Sequence, residues 1–189
     1  MSLKDLTWEK HKSAERQDFV RIMFSGNIDP AFYATFLANQ HPCYEILEVN
    51  AMLHRLVLGM PDIRRAPAIL ADVQELWTDT ETKPKIVPVV NEYIKHIMTL
   101  SANDPEKLMA HIYVRHMGDL AGGQMIAKRV PGAGRLYKFE EPDALKEAIR
   151  ARINDDLAEE ANICFDFAIR MFKELMDLDM PKLKESIDE

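Results

Sequence analysis

The sequence predicts an all-α chain forming a single-domain helical bundle over residues 1–189, and three observations carry the prediction. Apolar residues recur at three- and four-residue intervals almost throughout. Alternating Val, Ile and Thr runs bounded by turn residues, the mark of strands, are missing. Asp29-Pro30 and Asp104-Pro105 each place an N-cap before a residue preorganised for the first helical position, so they restart helices. A chain of 189 residues can bury roughly 70% of its unfolded surface, enough for one continuous core.

The first helix is expected from about Leu3 to Phe24, ended by Ser25-Gly26-Asn27, residues that tolerate turn geometry. The second carries Phe32, Phe36, Leu37, Tyr44, Ile46 and Leu47 from Pro30 to about Leu58, with a kink expected at Pro42 and a stop at Gly59-Met60-Pro61. Shorter helices follow over about Arg64–Trp77, before the polar run TDTETKPK, and over Val87–Leu100, before SANDPE. Asp104-Pro105 opens a long helix to about Val130, interrupted in its middle by three of the chain's seven glycines. After PGAG, Asp143 is expected to cap a helix through about Leu157, and Glu160–Leu178 forms the last. The polar tail, about 179–189, reads as frayed.

Composition narrows the function. The formal charge of −7 disfavours nucleic acid, which attracts basic faces. No window approaches the ~20 apolar residues of a membrane helix, and no apolar segment follows Met1, so a soluble, cytoplasmic protein is expected. Cys43 and Cys164 are too few and too far apart for a disulfide framework or a CxxC site and read as inert thiols.

The segment from His111 to Gln124, HIYVRHMGDLAGGQ, is the most informative. Glycine inside a helix costs about 1 kcal/mol relative to alanine, so Gly118, Gly122 and Gly123 cost about 3 kcal/mol together unless something offsets them. Gly118 and Gly122, four apart, strip side chains from one face and admit either a flat ligand or a closely packed second helix. Asp119 beside that face favours a site, because a carboxylate there needs partners or water. Arg115 is spaced to pair with Asp119, although such pairs are also routine on solvated helices. Tyr44 and Tyr113 can offer hydroxyls, or simply pack.

His11 and Glu15 are one turn apart, so the carboxylate can take the proton of one ring nitrogen and leave the other for a metal; a surface pair is the commoner outcome. His41, His54, His96, His111 and His116 show no spacing that nominates a zinc site. Lys146 and Arg150, also one turn apart, repel mildly unless an anion lies between them; with Lys4 they are candidates to hold carboxylate groups of a ligand.

These residues resemble the heme oxygenases, an all-helical family in which heme b is both cofactor and substrate. HIYVRHMGDLAGGQ resembles the family's distal-helix motif, HKSAE (11–15) its proximal-histidine motif, and LKEAIRARIN (145–154) with FAIRMF (167–172) its C-terminal helices. The resemblance spans nearly the whole chain and implies a heme-oxygenase-like helical bundle. It implies that His11 is the proximal iron ligand, oriented by Glu15, and that Gly118 and Gly122 contact the distal face. Asp119 would organise distal water with support from Tyr44 and Arg115. Lys4, Tyr113, Lys146 and Arg150 would lie near the propionates, with Phe165 and Phe172 as apolar walls. Two positions depart from the animal pattern: Ala168 stands where asparagine is usual, and Ala121 where serine is frequent.

The implied reaction opens the ring with O2 to biliverdin, the IXα isomer by expectation, releasing CO and Fe2+. A neutral imidazole ligand, unlike a thiolate, does not push electron density toward O–O cleavage, so the ring itself can be the molecule oxidised. No flavin or nicotinamide fingerprint is present, so electrons come from an external reductant. Ferredoxin is the expected donor, steered by a basic rim of Lys10, Lys12, Lys128, Arg129 and Arg152, and a bilin reductase is a candidate downstream partner. The sequence shows no C-terminal membrane anchor, which suggests a plastid, bacterial or phage-like form. A heme carrier, a di-iron oxygenase and a thiamine hydrolase on a similar bundle are the rival readings.

Overall fold

A computed structural model describes residues 2–60 and 62–178. Pro61 of the expected stop and the expected frayed tail at 179–189 lie outside the described residues. Among those described there are nine α-helices, three 3-10 turns and no strand. The α-helices are α1 (Leu3–Glu15), α2 (Asp18–Ser25), α3 (Pro30–Leu53), α4 (Ala66–Leu76), α5 (Pro88–Asn103), α6 (Leu108–Leu120), α7 (Gly123–Ile126), α8 (Pro142–Arg150) and α9 (Ala158–Met176).

Ser2 starts α1 with a reciprocal cap: its hydroxyl accepts from the Asp5 amide while its own amide donates to the Asp5 carboxylate at 2.9 Å. The single helix expected over Leu3–Phe24 is two, because Gln17 adopts an extended backbone (φ −64°, ψ 143°). That break re-aims Phe19, Val20 and Met23 into the core, and Gly26 at φ +80° ends α2. Asp29 caps α3 as expected, accepting from the Ala31 and Phe32 amides at 2.9 and 3.1 Å. Helix α3 runs through Pro42 without interruption and ends at Leu53, five residues short of Leu58, in a turn where Arg55 takes a positive φ of 59°.

Asp104-Pro105 opens only a 3-10 turn, Pro105–Lys107, before α6. The long helix expected to reach Val130 breaks at Ala121 (φ −104°, ψ −82°), between α6 and α7. Asp143 does not cap α8: Glu141 holds that position without a side-chain bond, and Asp143 sits in the first turn, paired with Lys146 at 3.1 Å. The helix ends at Arg150, and Asn154 caps a separate 3-10 turn, Asp155–Leu157.

Helix α3 is buried along most of its length, packed against α4, α5 and α6, while α9 closes the bundle against α1, α2, α5 and α6. Phe19, Phe32, Leu37, Leu47, Tyr93, Ile97, Leu108 and Ile112 fill the core between them. Buried Glu48 of α3 accepts from the Arg65 and Ala66 amides at 2.6 and 3.2 Å, supplying the start of α4 with partners that its own cap residue lacks. No helix among the described residues is long and apolar enough to cross a membrane.

Candidate active site

A cavity of about 550 Å³ opens between α1, α6 and α9. His11 projects into it from α1, stacked on Trp8 (centroids 5.7 Å apart, planes at 13°) and met edge-on by Phe165. Its Nε2 lies 3.6 Å from the Glu15 carboxylate, and its Nδ1 is buried with no hydrogen-bond partner. A buried imidazole nitrogen without a partner is costly unless a ligand satisfies it.

At Gly118 and Gly122 the cavity wall is bare backbone. A Cβ added at Gly118 would meet nothing within 4 Å, and one at Gly122 only the Gly118 carbonyl at 3.7 Å. Of the two readings of this glycine face, close packing of a second helix is not what lies there: Gly118 and Gly122 border open space. Gly123 serves differently: a Cβ there would lie 2.5 Å from the Tyr137 ring, which packs directly on its backbone.

Asp119 is buried beside Gly118 and accepts a hydrogen bond from the Tyr44 hydroxyl at 2.7 Å. Burial pushes its carboxyl up to about 6 against the opposing pull of Tyr44 and nearby cations. Arg115 forms no ion pair with Asp119 among the described residues. Its Nε donates to the Tyr93 hydroxyl at 3.0 Å and its Nη1 to Gln40 at 2.7 Å, while its guanidinium lies 4.3 Å from the Tyr93 ring centroid. Those two acceptors from α5 and α3 fix the fork across the cavity wall rather than along its own helix.

Lys4, Tyr113 and Arg150 also line the cavity, and Phe165 and Phe172 form apolar wall. Ala168 and Ala121 also line it, so neither supplies a side-chain hydrogen bond. Lys146 is the one predicted site residue outside the lining, held by Asp143. Trp8, Gln40 and Tyr93 complete the arrangement; only Trp8, one turn before His11, carried a local signal in the sequence.

Four of the five residues of the expected basic rim are engaged within the chain. Lys10 pairs with Asp166, Lys12 with Glu9, Arg129 donates to the Phe24 carbonyl, and Arg152 donates to the Leu56 and Leu58 carbonyls. Cys43 and Cys164 are buried, which pushes their thiols up to about 11 and 12, far from the thiolate a nucleophile needs.

A family model described as heme oxygenase matches residues 1–174. The chain belongs to the heme oxygenase family. Heme oxygenase 2 of Rattus norvegicus is 29% identical, the match covering 99% of this chain and 68% of that protein. A heme oxygenase structure from Leptospira interrogans superposes with a TM-score of 0.80 at 27% identity, over 92% of this chain and 100% of that one. Heme oxygenase-1 of the cyanobacterium Synechocystis, solved in complex with heme, shares the fold with a TM-score of 0.81 at 23% identity, over 98% and 94% of the two chains. The general reaction of heme oxygenases is degradation of heme to biliverdin.

The chain also holds two histidine–carboxylate clusters outside the cavity lining. His116 Nε2 lies 3.1 Å from Glu48 Oε1. His96 of α5, His111 of α6 and Glu160 of α9 converge, with Glu160 Oε1 2.5 Å from His96 Nε2 and 2.9 Å from His111 Nε2. Burial pushes the His111 imidazole down to about 4 despite Glu160. Burial alone would raise the Glu160 carboxyl, but the two imidazoles hold it down at about 2.

Proposed function

We propose that this chain binds heme in the cavity between α1 and α6 and cleaves it with O2 to biliverdin IXα, CO and Fe2+, drawing electrons from a small external donor, ferredoxin. The observation that carries the reading is that His11, with an unpartnered ring nitrogen, lines the same cavity as Gly118 and Gly122, where an added Cβ would meet nothing closer than the Gly118 carbonyl at 3.7 Å. The residues present therefore fit a flat macrocycle with an axial ligand. When bound, heme supplies the redox chemistry of its iron and is itself the molecule oxidised.

His11 would hold the iron, with Glu15 accepting the proton of the other ring nitrogen and so fixing tautomer and ring orientation. Gly118 and Gly122 would let the backbone at the end of α6 lie close against one face of the ring. Asp119 is the proton-handling group. Near pH 7 a carboxyl at about 6 is mostly ionised yet re-protonates readily, which suits repeated proton delivery through water held at its oxygens. Tyr44 keeps that carboxylate aimed, and Arg115, clamped by Gln40 and Tyr93, adds fixed positive charge. Lys4 and Arg150 would hold the propionates beside Tyr113, setting which meso carbon faces the open edge; Lys146 could join them only by leaving Asp143.

The test is an aerobic turnover of the hemin-loaded chain with reduced ferredoxin, separating bilin isomers and trapping CO. Green product as the IXα isomer with one CO per heme is expected. A Soret band that persists without bilin would make the chain a heme carrier. His11→Ala should change the ferric heme spectrum; an unchanged spectrum removes His11 as ligand.

A further inference from the structure

The strongest group of ligand-type side chains outside the cavity is His96, His111 and Glu160, on three different helices. Their ligand atoms all lie within 4.8 Å of one another, and both imidazole Nε2 atoms point at the same carboxylate oxygen. We propose that these three residues form a second, non-heme site that binds a divalent transition-metal ion such as Zn2+ or Fe2+.

The donor set decides the class of ion. Two imidazole nitrogens and one carboxylate oxygen suit zinc or ferrous iron, whereas calcium and magnesium select oxygen ligands. Around a tetrahedral ion about 2.0–2.1 Å from each ligand atom, neighbouring ligand atoms sit roughly 3.3 Å apart. From separations of 2.5 and 2.9 Å, each ring needs to withdraw from the carboxylate oxygen by less than about an ångström, while the two imidazole nitrogens, within 4.8 Å of each other, settle to the same spacing. Three protein ligands would leave a fourth position for water.

The surroundings are those of a held ligand set. His111 Nδ1 is 3.0 Å from the Tyr93 hydroxyl, so with its Nε2 on the ion the ring carries its proton on Nδ1 and donates it there. Phe167 packs against both His96 and Tyr93, with ring centroids 5.3 Å away in each case. His111 is fully buried, but the His96 side chain is 27% exposed, which gives an ion a way in from the surface. None of the three residues lines the cavity between α1 and α6, although His111 reaches its wall through the Tyr93 hydroxyl and Arg115.

The experiment is a Co2+ titration of the full chain after removal of metal with a chelator, followed by visible absorption and by unfolding midpoint. One Co2+ per chain, with the d–d bands of a low-coordinate ion and displacement by Zn2+, is expected. His96→Ala and Glu160→Gln should each weaken binding at least tenfold and abolish the rise in midpoint that Zn2+ gives the parent chain. His11→Ala and His54→Ala should leave the titration unchanged. Glu160→Gln keeps the shape of the carboxylate, so it carries the test should His96→Ala lose helix content. A flat titration, or equal binding by the parent chain and both cluster variants, overturns the assignment.

Discussion

Asp119 carries opposite consequences for stability and for chemistry. Its carboxyl rises from 3.8 to about 6 because folding takes it out of water, so between about pH 4 and 6 the folded chain binds a proton that the unfolded chain has lost. The sign follows: the group's contribution is most favourable below about pH 4 and is lost as pH rises through 6. Asp119→Asn removes that dependence. Relative to the parent, the variant should gain roughly 1–3 kcal/mol between about pH 4 and 7.5, measured by urea unfolding of the heme-free chain at both pH values. Equal differences at the two pH values would mean that Asp119 is not proton-loaded by folding. The same variant should lose bilin formation, because the amide cannot deliver a proton, so stability and activity move apart at this position. Tyr44→Phe deletes the only side-chain hydrogen bond that the Asp119 carboxylate accepts among the described residues, and should raise its titration further.

At the scale of elements, the stretch from the last turn of α6 to the start of α7 contains three glycines with two different reasons to be glycine. Gly118 faces open space at helical backbone, so Gly118→Ala should leave stability unchanged or raise it by about 0.5–1 kcal/mol. Gly123→Ala drives a methyl into the Tyr137 ring and should cost about 1–3 kcal/mol. Thermal unfolding of the two variants separates the roles, and Gly118→Leu, which fills the cavity, should abolish hemin binding while the chain still folds. This division was half legible in the sequence. The number and spacing of the glycines announced an unusual helix face, but only Tyr137, fourteen residues on, distinguishes Gly123 from its neighbours. Helix cores were legible because their apolar spacing is local, as in α3 and α5, and Asp29 reads as a cap on its own. The break at Gln17 was not, since nothing in a glutamine marks an extended backbone, and neither was that at Ala121. The site divides the same way. His11, Glu15, Gly118 and Asp119 sit in short motifs, whereas Gln40, Tyr93 and the partners of His111 come from other helices, where spacing along the chain carries no information.

For the whole molecule, the cavity occupies space between α1 and the bundle that a core would otherwise fill. Helix α1 buries only Leu3, Thr7 and Ala14, and its attachment is chiefly to α9. Ala14 belongs to a small apolar cluster with Phe165 and Ile169 that is separate from the main core, and Trp8 remains 44% exposed. Local stability follows local burial, so without heme α1 should open at lower free energy than α3 or α5. Hemin would bridge His11 on α1 to the glycine face on α6 and supply the missing interior, tying the two sides into one cooperative unit. Binding to the folded state alone stabilises by about 2.7 kcal/mol at a free ligand concentration of 100 Kd, which for a chain of this size is a rise in Tm of roughly 5–10 °C. Hydrogen exchange resolves the effect by segment. Amides of residues 3–15 should exchange much faster than those of 88–103 in the heme-free chain and slow markedly when hemin is added. In His11→Ala the slowing should be lost even where hemin still partitions into the cavity, because the link from α1 to the iron is gone. Protection of residues 3–15 equal to that of α5 before any hemin is added would show that α1 is held by its own packing, and that the cavity is not the place where this chain's stability is left incomplete.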